Sequence, residues 1–383
     1  MGTMETPVLQ LYNFKSIKEG NIKIKPVTVI LGPPDSGKSN LLEGLAMFSM
    51  LAYGGNAYSY LRTSDLRALF YNFTPLFSPS VSLMIPERNV ELKISISPES
   101  QGRGIEFTYS TRDKMLLRFV IVDGIFYPMT PQPDNEYLSL LRIRFYRFSY
   151  PYLPFYQPIG YVPDLTSFLS SDHVVRGFLM KHNKRLYDEI LSNVLLPPHG
   201  DNLSFLLRKE DYYEFAKSII KDLGYDDLII LQYRGEKWFL MRNLKPPVIY
   251  PLELASYGFI NYIYVSLAIE SNIPDEIPRI IPDIIAFEEP EAHSFPFLAW
   301  ELAKDIAYGS SEDKRIVLTT HNPSIVSALL EKVRPENLAV YWLCRDQKTF
   351  ASKIIEVKED ILDKARGLGL SSIEELRNIV KCE

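Results

Sequence analysis

The sequence has little of what marks secreted, membrane-spanning or zinc-binding proteins. Its two cysteines, Cys344 and Cys382, form no CxxC pair or Cys/His cluster, so they imply neither a disulfide framework nor a zinc site, and a reducing interior is expected. No window offers about 18 uninterrupted apolar residues, and the N-terminal residues lack the pattern of a signal peptide. We therefore expect a cytoplasmic protein that does not span a membrane.

An excess of positive charge is also missing. Lysine and arginine number 42 against 47 aspartates and glutamates, which gives a formal net charge of -5. This balance excludes a chain that coats nucleic acid through its overall charge, so DNA binding would need a local basic surface. Hydrophobic residues make up 46% of the 383 residues, which is enough to bury a large core.

What the sequence does contain is a glycine loop with the spacing of a phosphate-binding loop. The loop, GPPDSGKSN, consists of Gly32, Pro33, Pro34, Asp35, Ser36, Gly37, Lys38, Ser39 and Asn40. In such a loop backbone N–H groups surround the phosphates, a lysine reaches the β- and γ-phosphates, and a hydroxyl ligates Mg²⁺. An apolar strand pattern, VTVIL, precedes the loop, and apolar residues at helical spacing follow it. The alternative is a glycine turn that binds no nucleotide.

Two carboxylates and a histidine follow apolar strand patterns in the last third of the chain. The stretch IIAFEEPE places Glu288 to hold a metal, usually through water, and Glu289 to act as a general base. The stretch RIVLTTH ends in His321, at the carboxyl end of a strand, where open α/β sheets bind their ligands. A histidine there can hydrogen-bond a γ-phosphate and orient the attacking water. The plainer interpretations are a solvated acidic turn and a structural histidine.

In this order the motifs resemble those of the ABC-type ATPases of the SMC, RecF and OLD group. The opening LQLYNFKSIKEGNIKIKPVTVILGPPDSGKSNLLEGL resembles the N-terminal region of that group, AFEEPEAHSFP resembles its Walker B motif and D-loop, and VLTTHNPSIVSAL resembles its His switch. The resemblance covers roughly the first 55 residues and the stretch from about 250 to 330. Within it, Phe295 stands where transporter-type ABC proteins carry the D-loop aspartate.

The resemblance implies an ATP hydrolase whose cofactors are ATP and Mg²⁺. Lys38 would act on the phosphates, and Ser39 would ligate the metal. Two protomers would sandwich two ATP molecules, and a signature serine and glycine at a helix N-terminus would complete each site from the opposite protomer. The stretch ELASYGFINYIYVSLAIE supplies the candidates Ser256 and Gly258. An ordinary helix cap is the alternative interpretation. The candidates for the Q-loop glutamine of this group are Gln101, Gln132 and Gln157. The residues around each of them do not match the Q-loop sequence of the group.

The expected fold is an α/β P-loop NTPase of the ABC-ATPase kind, with a mixed sheet, flanking helices, an antiparallel β part and a helical insertion. Residues 1–127 would form the N-terminal half of the ATPase core with the antiparallel sheet. Residues 128–245 would form a Pro/Tyr-rich and helical insertion that acts as a lid or arm, and residues 246–383 would form the C-terminal half. We expect the two ends of the chain to build one sheet.

What the ATP cycle drives has two open interpretations. One is DNA maintenance or defence, because basic residues interleaved with aromatics suit phosphate contact and base stacking. The candidate DNA contacts are Arg142, Arg144, Arg147, Arg176, Lys181, Lys184 and Arg185. An exposed strand face, a solvated surface or a protein contact is the alternative use of these residues. The other interpretation is a nucleotide-gated scaffold that recruits a separate effector protein. A homodimer is the expected assembly in either case.

Overall fold

The architecture is that of a computed structural model, which describes residues 6–54, 57–63, 65–98, 105–122, 125–128, 135–148, 175–233, 236–251, 255–366, 368 and 372–380. The strands are β1 (Val8–Phe14), β2 (Ile17–Lys23), β3 (Val27–Leu31), β4 (Ser80–Ile85), β5 (Val90–Pro98), β6 (Ile105–Thr111), β7 (Met115–Val122), β8 (Ile125–Pro128), β9 (Ile143–Tyr146), β10 (Asp227–Tyr233), β11 (Glu236–Leu244), β12 (Pro247–Pro251), β13 (Asp283–Glu288), β14 (Lys314–Thr319), β15 (Leu338–Arg345) and β16 (Ser352–Glu356). The α-helices are α1 (Lys38–Tyr53), α2 (Ala57–Leu61), α3 (Asn135–Leu138), α4 (Val175–His182), α5 (Lys184–Asn193), α6 (Leu203–Leu206), α7 (Glu210–Asp222), α8 (Tyr257–Glu270), α9 (Pro296–Gly309), α10 (Pro323–Lys332), α11 (Glu359–Ala365) and α12 (Ser372–Ile379).

Three sheets organise the described part of the chain. An antiparallel sheet has the order β2-β1-β4-β5-β6-β7-β8, a central sheet has the order β16-β15-β3-β14-β13-β9, and a small antiparallel sheet has the order β10-β11-β12. In the central sheet the neighbouring strands run parallel, except that β16 is antiparallel to β15. The predicted combination of a mixed sheet with an antiparallel β part is confirmed.

The two ends of the chain build the central sheet together. Strand β3 lies between β14 and β15, so a strand from the first forty residues is bordered on both sides by strands from the last seventy. Strand β9 comes from the predicted insertion 128–245 and pairs in parallel with β13 at the edge of this sheet. The middle of the chain therefore contributes a strand to the core, and the predicted boundaries of the three regions stay a prediction.

The central sheet is covered on both faces. Along β13, Ile284 and Ala286 join the apolar layer formed with α1 and the antiparallel sheet, while Ile285 and Phe287 join the layer formed with α8, α9 and α10. All four side chains are fully buried. Because neighbouring side chains of a strand point to opposite faces, an unbroken apolar run requires cover on both sides of the sheet.

The structure also bears on two features that the sequence was expected to lack, a disulfide bond and a membrane-spanning helix. Cys344, at the end of β15, is disulfide-bonded, which corrects the expectation that the cysteines imply no disulfide. The other cysteine of the sequence, Cys382, lies outside the described residues. Among the helices of the described residues, none combines the length and the apolar character that crossing a membrane would require.

Candidate functional site

The predicted phosphate-binding loop connects β3 to α1. Its backbone uses left-handed conformations at Asp35 (φ 57°) and Gly37 (φ 98°), and Gly32 has a φ of 148°. A Cβ atom on Gly37 would lie 2.2 Å from the Ser352 hydroxyl, and one on Gly32 would lie 2.2 Å from the carbonyl oxygen of Leu343. Both glycines are therefore required by backbone conformation and by space, as in a loop that wraps closely around a ligand.

The lysine of the loop is held above the loop backbone. Lys38 Nζ donates hydrogen bonds to the carbonyl oxygens of Gly32 and Pro33, at 2.8 and 2.9 Å. Burial lowers the pKa of Lys38, although the nearby carboxylates of Glu289 and Asp35 oppose that shift. The ammonium group is thus already positioned over the loop, where it would meet the β- and γ-phosphates.

The loop offers donors for an anion. Ser36 Oγ is buried and has no hydrogen-bond partner within the described structure. A buried hydroxyl without a partner costs free energy, and a phosphate oxygen would satisfy it. Together with the tight glycine backbone and Lys38, this hydroxyl without a partner fits the binding of the phosphates of a nucleoside triphosphate.

Asn40, Pro33, Pro34 and Asp35 occupy the outer side of the loop. Asn40 Nδ2 donates to Ser16 Oγ at 2.7 Å, which ties α1 to the turn between β1 and β2. Pro33, Pro34 and Asp35 are exposed. Their side chains remain free to face a ligand or a second protein surface, and their roles stay predictions.

Parallel strands bring the remaining predicted residues to the same edge of the sheet. Glu288 is the last residue of β13, and its register partner Thr319 is the last residue of β14. The phosphate-binding loop begins directly after β3, which pairs with β14. Because the carboxyl ends of parallel strands share one edge, the acidic pair, the histidine strand and the loop converge there.

Glu288 is held by two arginines. Its carboxylate accepts from Arg147 Nε and lies 3.2 Å from Arg62 Nη1. Burial opposes ionisation, but Arg147, Arg62 and a hydrogen bond from Ser39 outweigh it and lower the pKa of Glu288. The contact with Ser39 brings together the two residues predicted to serve the metal. Neither arginine was predicted as part of this site, because ion pairs across the fold leave no local pattern in the sequence.

Glu289 and His321 are also brought together. His321 Nδ1 lies 3.2 Å from Glu289 Oε1. Glu289 has a φ of 45°, and its N–H group donates to the Thr319 carbonyl oxygen at 3.1 Å. A non-glycine residue in the left-handed region is uncommon and requires such fixation. The carboxylate is partly exposed, as a general base that meets water must be.

Glu291 is a buried acid next to this pair that the sequence analysis did not single out. Its Oε1 accepts from the hydroxyl of Thr320, the residue before His321, while its Oε2 has no hydrogen-bond partner within the described residues. Burial raises the pKa of Glu291 to about 7. The sequence feature that could have indicated Glu291 is the third carboxylate of EEPE. A glutamate two residues after the acidic pair can be buried next to that pair.

The two signature candidates lie at the start of α8. Ser256 is the exposed N-cap residue, and its Oγ accepts from Phe259 N at 3.4 Å. Gly258 is buried, and a Cβ there would lie 2.6 Å from the carbonyl oxygen of His293. Within one chain Ser256 therefore caps α8, as the alternative interpretation predicts, while Gly258 allows the helix to pack against the loop at His293. Their contact with a second protomer's nucleotide stays a prediction.

Most of the arginines considered for DNA contact are buried. Arg142 pairs with Asp283 at 2.6 Å, and Arg144 donates to the backbone and hydroxyl of Ser271. Arg176 is also buried. These three side chains cannot reach a DNA backbone, so the prediction of phosphate contacts is wrong for them. For Arg142 and Arg144 the reason is that an alternation of basic and apolar residues also fits a buried edge strand whose arginines bond to neighbouring segments.

Other predicted contacts have mixed outcomes. Lys184 and Arg185 are exposed near the start of α5, where Arg185 pairs with Glu189 at 3.1 Å. The Q-loop candidates Gln101, Gln132 and Gln157 lie outside the described residues. At the carboxyl end of β9, beside the strand that ends in Glu288, the structure has Arg147.

The chain is similar to known proteins in sequence and in structure. A family model described as "AAA domain, putative AbiEii toxin, Type IV TA system" matches residues 27–327. No curated protein matches the chain. A solved SMC head bound to the C-winged helix domain of ScpA is 16% identical with a TM-score of 0.53, over 94% of this chain and 99% of that one. An Smc head domain with an extended coiled coil, bound to the C-terminal domain of ScpA derived from Pyrococcus furiosus, is 14% identical with a TM-score of 0.53, over 97% of this chain and 99% of that one. These structural matches show a shared fold, that of an SMC-type ATPase head, and confirm the fold resemblance seen in the motifs.

Proposed function

The chain belongs to the AAA domain family whose model matches residues 27–327, and we propose that it is an ABC-type ATP hydrolase that works as a nucleotide-sandwich dimer. The observation that carries the proposal is the convergence of Lys38, Ser39, Glu288, Glu289 and His321 at one edge of the central sheet. This edge combines hydrogen-bond donors for phosphate groups, oxygen atoms that can bind a metal, and a carboxylate that can take a proton from water.

The proposed hydrolysis assigns one role to each side chain. Lys38 neutralises the β- and γ-phosphates, and His321 orients the γ-phosphate and the attacking water. Glu289 takes a proton as the water oxygen bonds to the γ-phosphorus, and the bond to the bridging oxygen breaks to leave ADP. The 3.2 Å contact between His321 and Glu289 supports a shared task.

Ser39 and Glu288 would hold Mg²⁺. A hydroxyl and a carboxylate are oxygen ligands of the kind that Mg²⁺ prefers, and the metal usually retains several waters beside them. When bound, Mg²⁺ would withdraw negative charge from the phosphate oxygens. A side-chain interaction with Ser39 helps to lower the pKa of Glu288, so the two proposed ligands lie near each other.

The dimer is proposed because the resemblance to the SMC, RecF and OLD group implies a site that a second protomer completes. Ser256 is exposed at the N-terminus of α8, and the N–H groups of a helix start attract a phosphate. We assign Ser256 and Gly258 to the nucleotide of the opposite protomer. Gly258 would serve indirectly, since it allows α8 to lie against the loop that follows Glu288.

What the cycle drives is proposed in two forms. The first is DNA maintenance or defence, in line with the toxin system named in the family description. The second is a scaffold whose ATP state recruits a separate effector protein. Burial of Arg142 and Arg144 favours the second, as does the exposure of Phe295 and Phe297 beside the site, since exposed aromatics suit a protein contact.

The proposal is tested by the solution mass of Glu289→Gln with and without Mg-ATP. Loss of the general base should trap the sandwich, so the mass should double with Mg-ATP only. Addition of Lys38→Ala to this variant should abolish the doubling. A monomer that still binds ATP would refute the homodimer, remove the trans roles of Ser256 and Gly258, and indicate a missing partner subunit.

DNA binding by the trapped dimer then separates the two forms of the proposal. An ATP-dependent affinity that falls steeply with salt would favour DNA maintenance or defence. A dimer without DNA affinity at low salt would favour the scaffold.

A further inference from the structure

We propose that Arg147 is a positioning residue that makes metal binding at Glu288 conditional on bound nucleotide. It directly follows β9 on the same sheet edge at which Glu288 ends β13, and the two strands are parallel neighbours. Its guanidinium contacts the carboxylate that the metal would use. The inference rests on the assignment of Glu288 as a metal-binding residue under the proposed function.

The guanidinium is fixed by several partners. Its Nε contacts Glu288, its Nη2 lies 3.1 Å from Glu43 Oε1, and its Nη1 donates to the Ser59 carbonyl oxygen at 3.1 Å. Its plane also lies over the ring of Phe145, 5.0 Å from the centroid. With all its nitrogens engaged, the side chain holds one orientation, as expected of a rigid donor fork.

The backbone of Arg147 is fixed as well. Its N–H group donates to the Pro198 carbonyl oxygen at 3.0 Å, and its own carbonyl oxygen lies 2.9 Å from His199 Nδ1. These two bonds tie the backbone of Arg147 to the loop that precedes α6 and so hold its side chain beside Glu288. This rigidity is more than an ordinary surface ion pair would require.

The side chains in ion-pair contact with Glu43 and Glu288 are all positive. Glu43 is fully buried and contacts Lys15, Arg62 and Arg147, while Glu288 contacts the same two arginines. Three cations thus face two carboxylates. A divalent cation that approached Glu288 alone would meet this positive excess, whereas a cation that arrives with a triphosphate brings compensating negative charge.

Arg147 should repel a divalent cation near Glu288 more strongly than Arg62 does. The side chain of Arg147 is 12% exposed and that of Arg62 is 48% exposed. Water screens an exposed charge more strongly, so the repulsion between a metal ion and Arg147 is the larger one. Arg147 is therefore the residue to change.

The experiment measures Mn²⁺ binding to the full chain without nucleotide, by electron paramagnetic resonance of the free ion. We expect weak binding in the wild type and roughly tenfold tighter binding in Arg147→Gln, because a neutral side chain leaves Glu288 available. Arg147→Lys should give an intermediate gain of about threefold, since its point charge cannot span both carboxylates. The control is Arg118→Gln, which removes an ion pair with Glu106 on the antiparallel sheet and should leave Mn²⁺ binding unchanged.

An Mn²⁺ affinity of Arg147→Gln within about twofold of the wild type would overturn the inference. If Arg147→Gln does not fold, Arg147→Lys decides in its place, and an unchanged affinity there has the same meaning. The gain in Arg147→Gln should disappear when Glu288→Gln is added, and its persistence would show that the metal binds elsewhere. ATP binding by the wild type in the presence of Mg²⁺ is measured separately, because its absence would refute the proposed function and not this inference alone.

Discussion

The Nδ1 atom of His321 lies 3.2 Å from the Oε1 atom of Glu289, although 32 residues separate them in the sequence. Two neighbouring parallel strands, β13 and β14, create this contact by ending at the same level. A histidine in contact with a carboxylate can keep it oriented toward a water molecule while its other ring nitrogen remains free for a phosphate.

Replacement of His321 by alanine should lower kcat for ATP hydrolysis by about a hundredfold while ATP affinity changes little, because orientation of the water is lost and the phosphate cradle remains. His321 is exposed, so the variant should keep its thermal stability. Steady-state kinetics and a melting curve test this. His182→Ala, an exposed histidine at the end of α4, is the matched control. An unchanged kcat in His321→Ala would leave the histidine with a structural role only.

Ser256 and Gly258 should respond differently to alanine. Ser256→Ala removes one helix cap and should cost about 1 kcal/mol in the free energy of unfolding. Gly258→Ala introduces a Cβ 2.6 Å from a backbone oxygen, and the overlap should cost about 1–3 kcal/mol. Chemical denaturation measures both. In the Glu289→Gln background, Ser256→Ala should also weaken the ATP-dependent dimer at unchanged ATP affinity of the monomer. A dimer of full strength would show that the serine is a cap and nothing more.

Glu291 should make the protein less stable at high pH. Burial raises its pKa from the ordinary 4.5 to about 7. Between these values the unfolded chain releases the proton while the folded chain keeps it, so the free energy of unfolding falls as pH rises through this range and levels off above it.

Glu291→Gln is a neutral variant of the same shape and should remove this dependence. We expect it to raise the free energy of unfolding above about pH 7 by at most about 3 kcal/mol. Urea titrations at several pH values measure the effect, with exposed Glu331→Gln as the control. A variant that keeps the wild-type slope between the two pKa values would contradict the prediction.

Arg142 should matter for stability and not for DNA. Its guanidinium binds Asp283 and the carbonyl oxygens of Ile277 and Pro278. Arg142→Ala should lower the free energy of unfolding by about 3–5 kcal/mol, because it leaves the buried Asp283 unpaired. Arg185→Ala, an exposed arginine, should change it by less than about 0.5 kcal/mol. A loss of DNA binding in a fully stable Arg142→Ala variant would contradict this assignment.

The sequence by itself determined the parts of the protein that depend on local chemistry. The glycine loop, the strand before it and the helix after it are contiguous, so spacing and apolar periodicity predicted Lys38 and Ser39 in their places. The acidic pair and His321 were predictable for the same reason, since each directly follows an apolar run whose burial on both sides forces it into the central sheet. Their convergence followed from the rule that parallel strands end at one edge.

Only the tertiary structure decided which charges meet. Arg142, Arg144 and Arg147 stand in one short basic and aromatic stretch, yet Arg142 binds Asp283, Arg144 binds Ser271, and Arg147 binds the carboxylate of Glu288. Nothing in the spacing of these arginines predicts their different partners, because each contact depends on the position of a residue more than a hundred residues away in the sequence. Burial removes the competing water and makes each pair specific, and burial is a property of the whole fold.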